Sequence, residues 1–178
     1  MFLVNRSGLW YNPLKEKNGS RAVKNTELAS LEIKKVDKAS ELQKQLLDFI
    51  ENFSWTEVKA HTLQIVENWE FTDWETPFAA LADGRIVGMA TLMRTDYYPL
   101  PEIFPWISTV FVTEAFRGHK ISGRLIAFAN AYAKENGFDK TYIPTDHIGL
   151  YEKYGYRYVK DIVNYGGGVD RLYAKELD

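Results

Sequence analysis

The chain has 178 residues, with 22 lysines and arginines against 24 aspartates and glutamates, a formal net charge of −2, and no cysteine. That length allows one domain with a core of its own, and the missing cysteines exclude disulfides, thiolate metal sites and a cysteine nucleophile. The near-neutral balance argues against a protein held to nucleic acid by bulk charge, and no apolar run approaches the roughly 20 residues that span a bilayer.

Residues 1–30 are polar, broken by Pro13 and Gly19, and show no sustained period, which predicts an N-terminal arm or irregular segment. The opening MFLVNRSGLW lacks the charged-then-apolar layout of a signal peptide, so the expected location is cytoplasmic. Residues 31–178 are expected to form a single domain. Leu31–Val36 (LEIKKV) is a short strand. Ser40 is placed to cap a helix, with Glu41 in its first turn, and Leu42, Leu46, Leu47, Phe49 and Ile50 give that helix an apolar stripe. Val58–Trp69 is a second helix.

Phe78–Ala82 and Arg85–Met93 flank Asp83-Gly84, which predicts a hairpin because both turn positions need positive φ. Three prolines make Tyr97–Pro105 a loop. Trp106–Val112 (WISTVFV) is strand-like on both faces and reads as a central strand. Ile121, Leu125, Phe128, Ala129 and Tyr132 recur at helical spacing, and Gly137 ends that helix. A strand at Lys140–Ile143 and a short helix at His147–Tyr154 follow. A second hairpin, Tyr156–Val163 with Val169–Leu177, completes the order β-α-α-β-β-β-α-β-α-β-β. This predicts an α/β (α+β) fold with a mixed sheet.

The stretch VFVTEAFRGHKISGRLI, Val110–Ile126, carries the chemistry. A buried strand runs through a short loop into a helix N-terminus. Such a junction presents unpaired N–H groups and the positive end of the helix dipole, a ready seat for phosphate. Arg117, His119, Lys120 and Arg124 add cations, Gly118 and Gly123 allow close approach, and Ser122 offers a hydroxyl. The charges alone fit an ordinary solvated helix start. Strand, Arg-Gly loop and helix together favour a phosphate cradle.

FRGHKISGRLI resembles the acyl-CoA pyrophosphate loop of the GNAT superfamily of N-acyltransferases, whose pattern is Arg/Gln-x-x-Gly-x-Gly/Ala. Arg117, Gly118 and Ile121 match, whereas Lys120 and Ser122 stand where the family usually has glycines. GLYEKYGY, Gly149–Tyr156, is similar to the family's C-terminal Leu-Tyr-Glu-Lys-x-Gly-Phe signature. Pro144 departs from the asparagine that many members carry. The resemblance covers roughly residues 31–178. It implies a GNAT-like mixed, mostly antiparallel sheet flanked by helices, with a central splayed strand pair, and acetyl-CoA as the donor. It further implies that pantetheine pairs with the backbone near Phe111 and Val112. The pyrophosphate would then sit on the amides of Arg117, Gly118, His119, Lys120, Ile121, Ser122 and Gly123. Tyr151 matches the family's tyrosine facing the departing sulfur.

Direct attack of an amine on the thioester raises a proton problem. A lysine-like amine, pKa about 10.4, is deprotonated at pH 7 at a cost of roughly 4.6 kcal/mol. Glu102, in the proline-rich loop, and His147, four residues before Tyr151 on one helix face, are candidate bases. Asp96 and Asp146 are further carboxylates, and a base acting through water leaves no sequence trace. The acceptor site is expected from the first two helices, the 95–105 loop and the last hairpin. Trp69, Trp74, Tyr97, Tyr98 and Trp106 would form its walls, and Glu67, Glu70, Asp73 and Glu75 would supply charge for a cationic amine. His61 reads as structural. His61, His119 and His147 show no ligand spacing, so no metal is expected.

The expected function is acetyl transfer from acetyl-CoA to a primary amine of a small molecule, with no nucleic-acid or membrane partner and a homodimer as a further expectation. A CoA-binding sensor or scaffold without turnover is the alternative. A third reading is an anion-binding module docking an acidic partner.

Overall fold

The computed structural model describes residues 30–178, so the expected N-terminal arm lies outside the described residues. The elements are β1 (Leu31–Lys35), α1 (Glu41–Asn52), α2 (Thr56–Glu67), β2 (Thr76–Ala82), β3 (Arg85–Met93), β4 (Trp106–Val112), α3 (Ile121–Glu135), β5 (Lys140–Thr145), β6 (Arg157–Val163) and β7 (Val169–Glu176). The sheet order is β1-β2-β3-β4-β5-β7-β6, with β4 at its centre. Every neighbouring pair is antiparallel except β4–β5. This is the mixed sheet that the element order predicts, and the mostly antiparallel sheet flanked by helices that the resemblance implies. No helix among the described residues is long and apolar enough to cross a membrane.

Local chemistry sets the elements. Ser40 caps α1, its Oγ accepting from the Gln43 N–H at 3.1 Å. The buried Gln43 then donates to the Val66 carbonyl, 2.6 Å, tying α1 to the end of α2. Asp83 and Gly84 both take positive φ, 48° and 78°, as a tight hairpin turn between right-twisted strands requires.

Strand alternation divides the core. Phe78, Ala80 and Ala82 of β2 face Ile121, Leu125, Ile126 and Ala129 of α3. Ala79 and Leu81 face Leu46, Ile50, Phe53 and Val66 of α1 and α2 on the other side. Each fully buried aliphatic or Phe side chain contributes about 1.5–3 kcal/mol. Replacing the fully buried Leu125 or Leu46 by Ala costs about 2–5 kcal/mol.

Two features position the site. First, β4 carries a bulge. Its register with β3 shifts between the Met89↔Phe111 and Thr91↔Ser108 pairs, and Thr109 sits at φ 49°. Ile107 and Phe111, four apart, would share a face in a regular strand. The extra residue sends Ile107 to the α3 face and Phe111 to the α1/α2 face. Second, β4 and β5 pair only at Trp106↔Tyr142 and separate beyond it.

One expected element is corrected. The short helix at His147–Tyr154 is a single 3-10 turn, Tyr151–Tyr154. Gly149 at φ 77° turns the chain before it, so His147 and Tyr151 do not share a helix face.

Candidate functional site

The gap between β4 and β5 opens into a cleft of about 1240 Å³ that runs from the loop before α3 to the β6–β7 turn. Arg117, Gly118, Lys120, Ile121 and Ser122 line one end, with Phe111 and Val112 along the β4 wall. α3 starts after Lys120, which occupies the left-handed region at φ 59° and supplies no side-chain cap. The first-turn N–H groups therefore have no capping side chain, the condition that suits an anion.

The loop side chains divide differently from their sequence order. Arg117 Nη2 pairs with Glu114 Oε1 at 2.8 Å, and its Nε donates to the Val112 carbonyl at 3.0 Å. Arg124 turns away and donates to the Leu31 carbonyl at 2.6 Å. His119 and Gly123 are not among the lining residues. A Cβ on Gly123 would lie 2.6 Å from Tyr154 Cε1, so this glycine admits the Tyr154 ring. The Ser122 hydroxyl, 3.1 Å from the Tyr154 hydroxyl, shares that contact.

Tyr151, 7% exposed, also lines the cleft beside Ile143–Thr145 of β5. Its ring packs against those of Tyr154, Tyr156 and Tyr173. Burial, and next the neighbouring Tyr154 and Tyr156, push its hydroxyl well above the usual phenol range. The group stays a proton donor throughout neutral pH.

The other end is acidic and aromatic. Asp96 lines it, held by a hydrogen bond from the Ser108 hydroxyl on β4 and by the Tyr97 N–H. Burial raises its carboxyl above the ordinary range, against the lowering effect of those two donors. Asp170, at the start of β7, accepts from the Tyr98 hydroxyl at 2.7 Å and from Asn164 Nδ2 at 3.2 Å. Burial, then the charge and hydrogen bond of Asp170, drive the Tyr98 hydroxyl far upward.

Of the expected acceptor residues, Tyr97, Tyr98, Glu70 and Glu75 line the cleft. Trp106 is buried beneath, stacked on Tyr98 at 5.7 Å. Trp69 packs on Phe71, and Trp74 packs against Phe104 and Phe138 with the Arg94 guanidinium 5.1 Å above it. Glu67 and Asp73 lie off the cleft.

Of the candidate bases, Glu102 is exposed and is not among the lining residues, whereas His147 and Asp146 line the cleft from an exposed bend. His61, read from the sequence as structural, also lines it. Asp170 and Ser108 were not singled out from the sequence. The signal for Ser108 was a small polar residue inside an apolar central strand.

The comparisons bear on this arrangement. A family model described as the acetyltransferase (GNAT) family matches residues 42–156, spanning α1 to the 3-10 turn. No curated protein sequence matches the chain. The aminoglycoside 6'-N-acetyltransferase from Enterococcus faecium superposes with a TM-score of 0.65 at 19% identity, over 82% of this chain and 97% of that chain. A GNAT-family acetyltransferase from Staphylococcus aureus Mu50 gives 0.60 at 19% identity, over 84% and 100%. A third, from Elizabethkingia anophelis with acetyl-CoA bound, gives 0.54 at 19% identity, over 83% and 98%. At these identities the structures share a fold with this chain. The family model covers well over half of it, from the first helix through the splayed strands to the tyrosine turn, and on that match the chain belongs to the GNAT acetyltransferase family.

Proposed function

We propose that this acetyltransferase moves the acetyl group of acetyl-CoA to a primary amine of a small molecule by direct attack. The observation that carries the reading is the cleft itself. An uncapped helix start bounds one end, the buried Tyr151 phenol lines the wall beside β5, and a carboxylate stands at the other end. Aminoglycoside acetyltransferases and an acetyl-CoA complex among the structural neighbours support a small amine as acceptor and acetyl-CoA as donor.

In this reading the pyrophosphate takes the N–H groups at the start of α3, with Lys120 as a nearby cation. The pantetheine arm follows the free edge of β4 at Phe111 and Val112, and the thioester lies beside Tyr151. The amine nitrogen attacks the acyl carbon, the C–N bond forms and the C–S bond breaks. The sulfur leaves as a thiolate hydrogen-bonded by Tyr151. A thiol pKa near 8.5 against a phenol raised above 10 makes Tyr151 a donor of a hydrogen bond rather than of a complete proton. The amine proton passes to Asp96. Its raised carboxyl narrows the gap to the amine, and its fixed oxygens leave it oriented toward the cleft. Asp96 takes the place of the two bases expected from the sequence, since Glu102 is exposed and off the cleft and His147 lines it only from an exposed bend.

The test is free-thiol release from acetyl-CoA across an amine panel, with thermal shift on acetyl-CoA alone. A ligand at 100 times its Kd stabilises by about 2.7 kcal/mol. A chain that shifts with acetyl-CoA but turns over no amine is the non-catalytic CoA-binding alternative.

A further inference from the structure

We infer that the acceptor carries a second cationic amine besides the one acetylated, and that Asp170 holds it. The inference rests on the acetyl-transfer reading above, in which Asp96 is engaged with the attacking nitrogen.

Two carboxylates from separate segments meet at the acceptor end: Asp96 from the loop after β3 and Asp170 from the start of β7. Each charge acts on the other's surroundings. Asp170 raises the Asp96 carboxyl, and both raise the Tyr98 hydroxyl, to which Asp146 adds. Among the described residues neither carboxylate is in a lysine or arginine ion pair. The His61 imidazole lines the cleft and acts on Asp96, but the lysine and arginine side chains of the cleft stand elsewhere. Arg117 and Lys120 belong to the donor loop, and Arg94 lies over Trp74 and Phe104.

Neutral donors hold both carboxylates in place. Ser108 and the Tyr97 N–H hold Asp96, while Tyr98 and Asn164 hold Asp170. The β6–β7 turn is fixed in turn. The Asn164 side-chain oxygen accepts from the Gly166 and Gly168 N–H groups, and the Tyr165 N–H donates to the Tyr97 carbonyl at 3.2 Å. Neutral hydrogen bonds orient a carboxylate without cancelling its charge, and two partly buried like charges, with only the His61 imidazole acting on Asp96 and no lysine or arginine paired to either, oppose folding. A ligand supplies the compensation. One ammonium neutralises one carboxylate, so the second calls for a second cation. The rings of Tyr97 and Tyr165, edge to face at 5.7 Å beside this pair, offer further attraction to a cation.

The competing account makes Asp170 only a brace for the hairpin. Asp170→Asn separates the two, because the carboxamide oxygen still accepts from Tyr98 and Asn164 while the charge is gone. The full chain is assayed by thiol release with acetyl-CoA on two pairs: 1,5-diaminopentane against pentylamine, and a diamino sugar against its monoamino counterpart. The wild type should use at least one diamine about tenfold better in kcat/KM than its monoamine partner, mainly through KM. Asp170→Asn should bring that ratio close to one, and Asp170→Glu should restore part of it.

Equal use of diamine and monoamine by the wild type overturns the inference. So does a ratio that survives Asp170→Asn. If acetyl-CoA stabilises the chain but no amine is turned over, the same pairs are compared by thermal shift in the presence of CoA. A larger shift with the diamine that Asp170→Asn abolishes then supports the inference, and equal shifts overturn it. Absence of any acetyl-CoA shift overturns the acetyl-transfer reading and this inference with it. A normal shift without diamine preference overturns this inference alone.

Discussion

The Arg117 guanidinium, a cation at the mouth of the donor loop, is held by the Glu114 carboxylate at 2.8 Å. Ser54 donates to the same carboxylate oxygen, and Arg117 also reaches the Val112 carbonyl. Burial opposes ionisation of Glu114. Hydrogen bonds from Ser54 and its own N–H, with the charge of Arg117, outweigh it and hold the carboxyl below the usual range. A diphosphate arriving here competes with Glu114 for Arg117 and meets its negative charge. Glu114→Gln should therefore tighten CoA binding about two- to fivefold, the scale of an exposed ion pair. Calorimetric titration at two salt concentrations checks this, and the gain should shrink at high salt. Weaker CoA binding in the variant would show that Glu114 positions Arg117 for the ligand instead of competing with it.

Tyr151→Phe removes the hydrogen bond to the leaving sulfur and little volume. The expected result is a fall in kcat of about a hundredfold, with acetyl-CoA affinity unchanged within a factor of two. The pH dependence follows from the direction of the shift. The folded-state pKa is raised, so the proton is held more tightly in the native chain. The associated stability is complete below the ordinary phenol pKa of about 10 and is lost as pH rises toward the folded value. Tyr98 shifts in the same direction, and Tyr156 is pushed up to about 12 by burial. Wild-type kcat should show no alkaline decline from Tyr151 below about pH 10. Unfolding free energy should drop steeply above that pH in denaturant titrations.

Asp96→Asn sets stability against activity. Burial raises the Asp96 carboxyl in the folded chain. Its stabilising contribution is thus present when protonated, below the ordinary carboxyl pKa of about 3.9, and is lost as pH rises through the folded value. Wherever the carboxyl is ionised, it weakens the fold. The carboxamide retains an acceptor for the Tyr97 N–H and a partner for Ser108. Melting temperature at pH 7 should rise by a few degrees, roughly what 1 kcal/mol gives a chain of this size, while turnover falls about a hundredfold or more. The thermal gain should vanish near pH 4. A variant that retains turnover would remove Asp96 from the proposed chemistry.

How much of this was legible depends on how local the signal is. Asp83-Gly84, Ser40 and the strand-loop-helix at Val110–Ile126 declare themselves within a few residues, because turn and cap chemistry is local. The acceptor end does not. Asp96 and Asp170 are 74 positions apart, and their meeting depends on a β5-β7-β6 strand order that the hairpin sequence leaves open. The Thr109 bulge is equally hidden, since every side chain of WISTVFV suits a regular strand. The shared helix face expected of His147 and Tyr151 does not form, because four-residue spacing means one face only in an α-helix and Gly149 turns the chain before the 3-10 turn, yet His147 still lines the cleft. Gly123 reads in the sequence as room for a closely approaching ligand, but its space is taken by Tyr154.

Lys120 is the departure from the family loop with the clearest physical consequence. It sits at φ 59° immediately before α3, a region that disfavours a Cβ by about 1–2 kcal/mol. Glycine there would relieve the strain, less the added entropy of its unfolded chain. The side chain is exposed and lines the donor end of the cleft, where its charge faces the proposed pyrophosphate. Lys120→Gly should therefore raise unfolding free energy by up to about 1 kcal/mol. It should also weaken CoA binding severalfold and flatten the salt dependence of that binding. Gly123→Ala, which forces a Cβ onto the Tyr154 ring, should instead cost about 1–3 kcal/mol. Denaturant titration and CoA calorimetry on both variants separate the two loop positions. A Lys120→Gly protein that binds CoA as tightly as the wild type would mean that the lysine's charge plays no part at the phosphates.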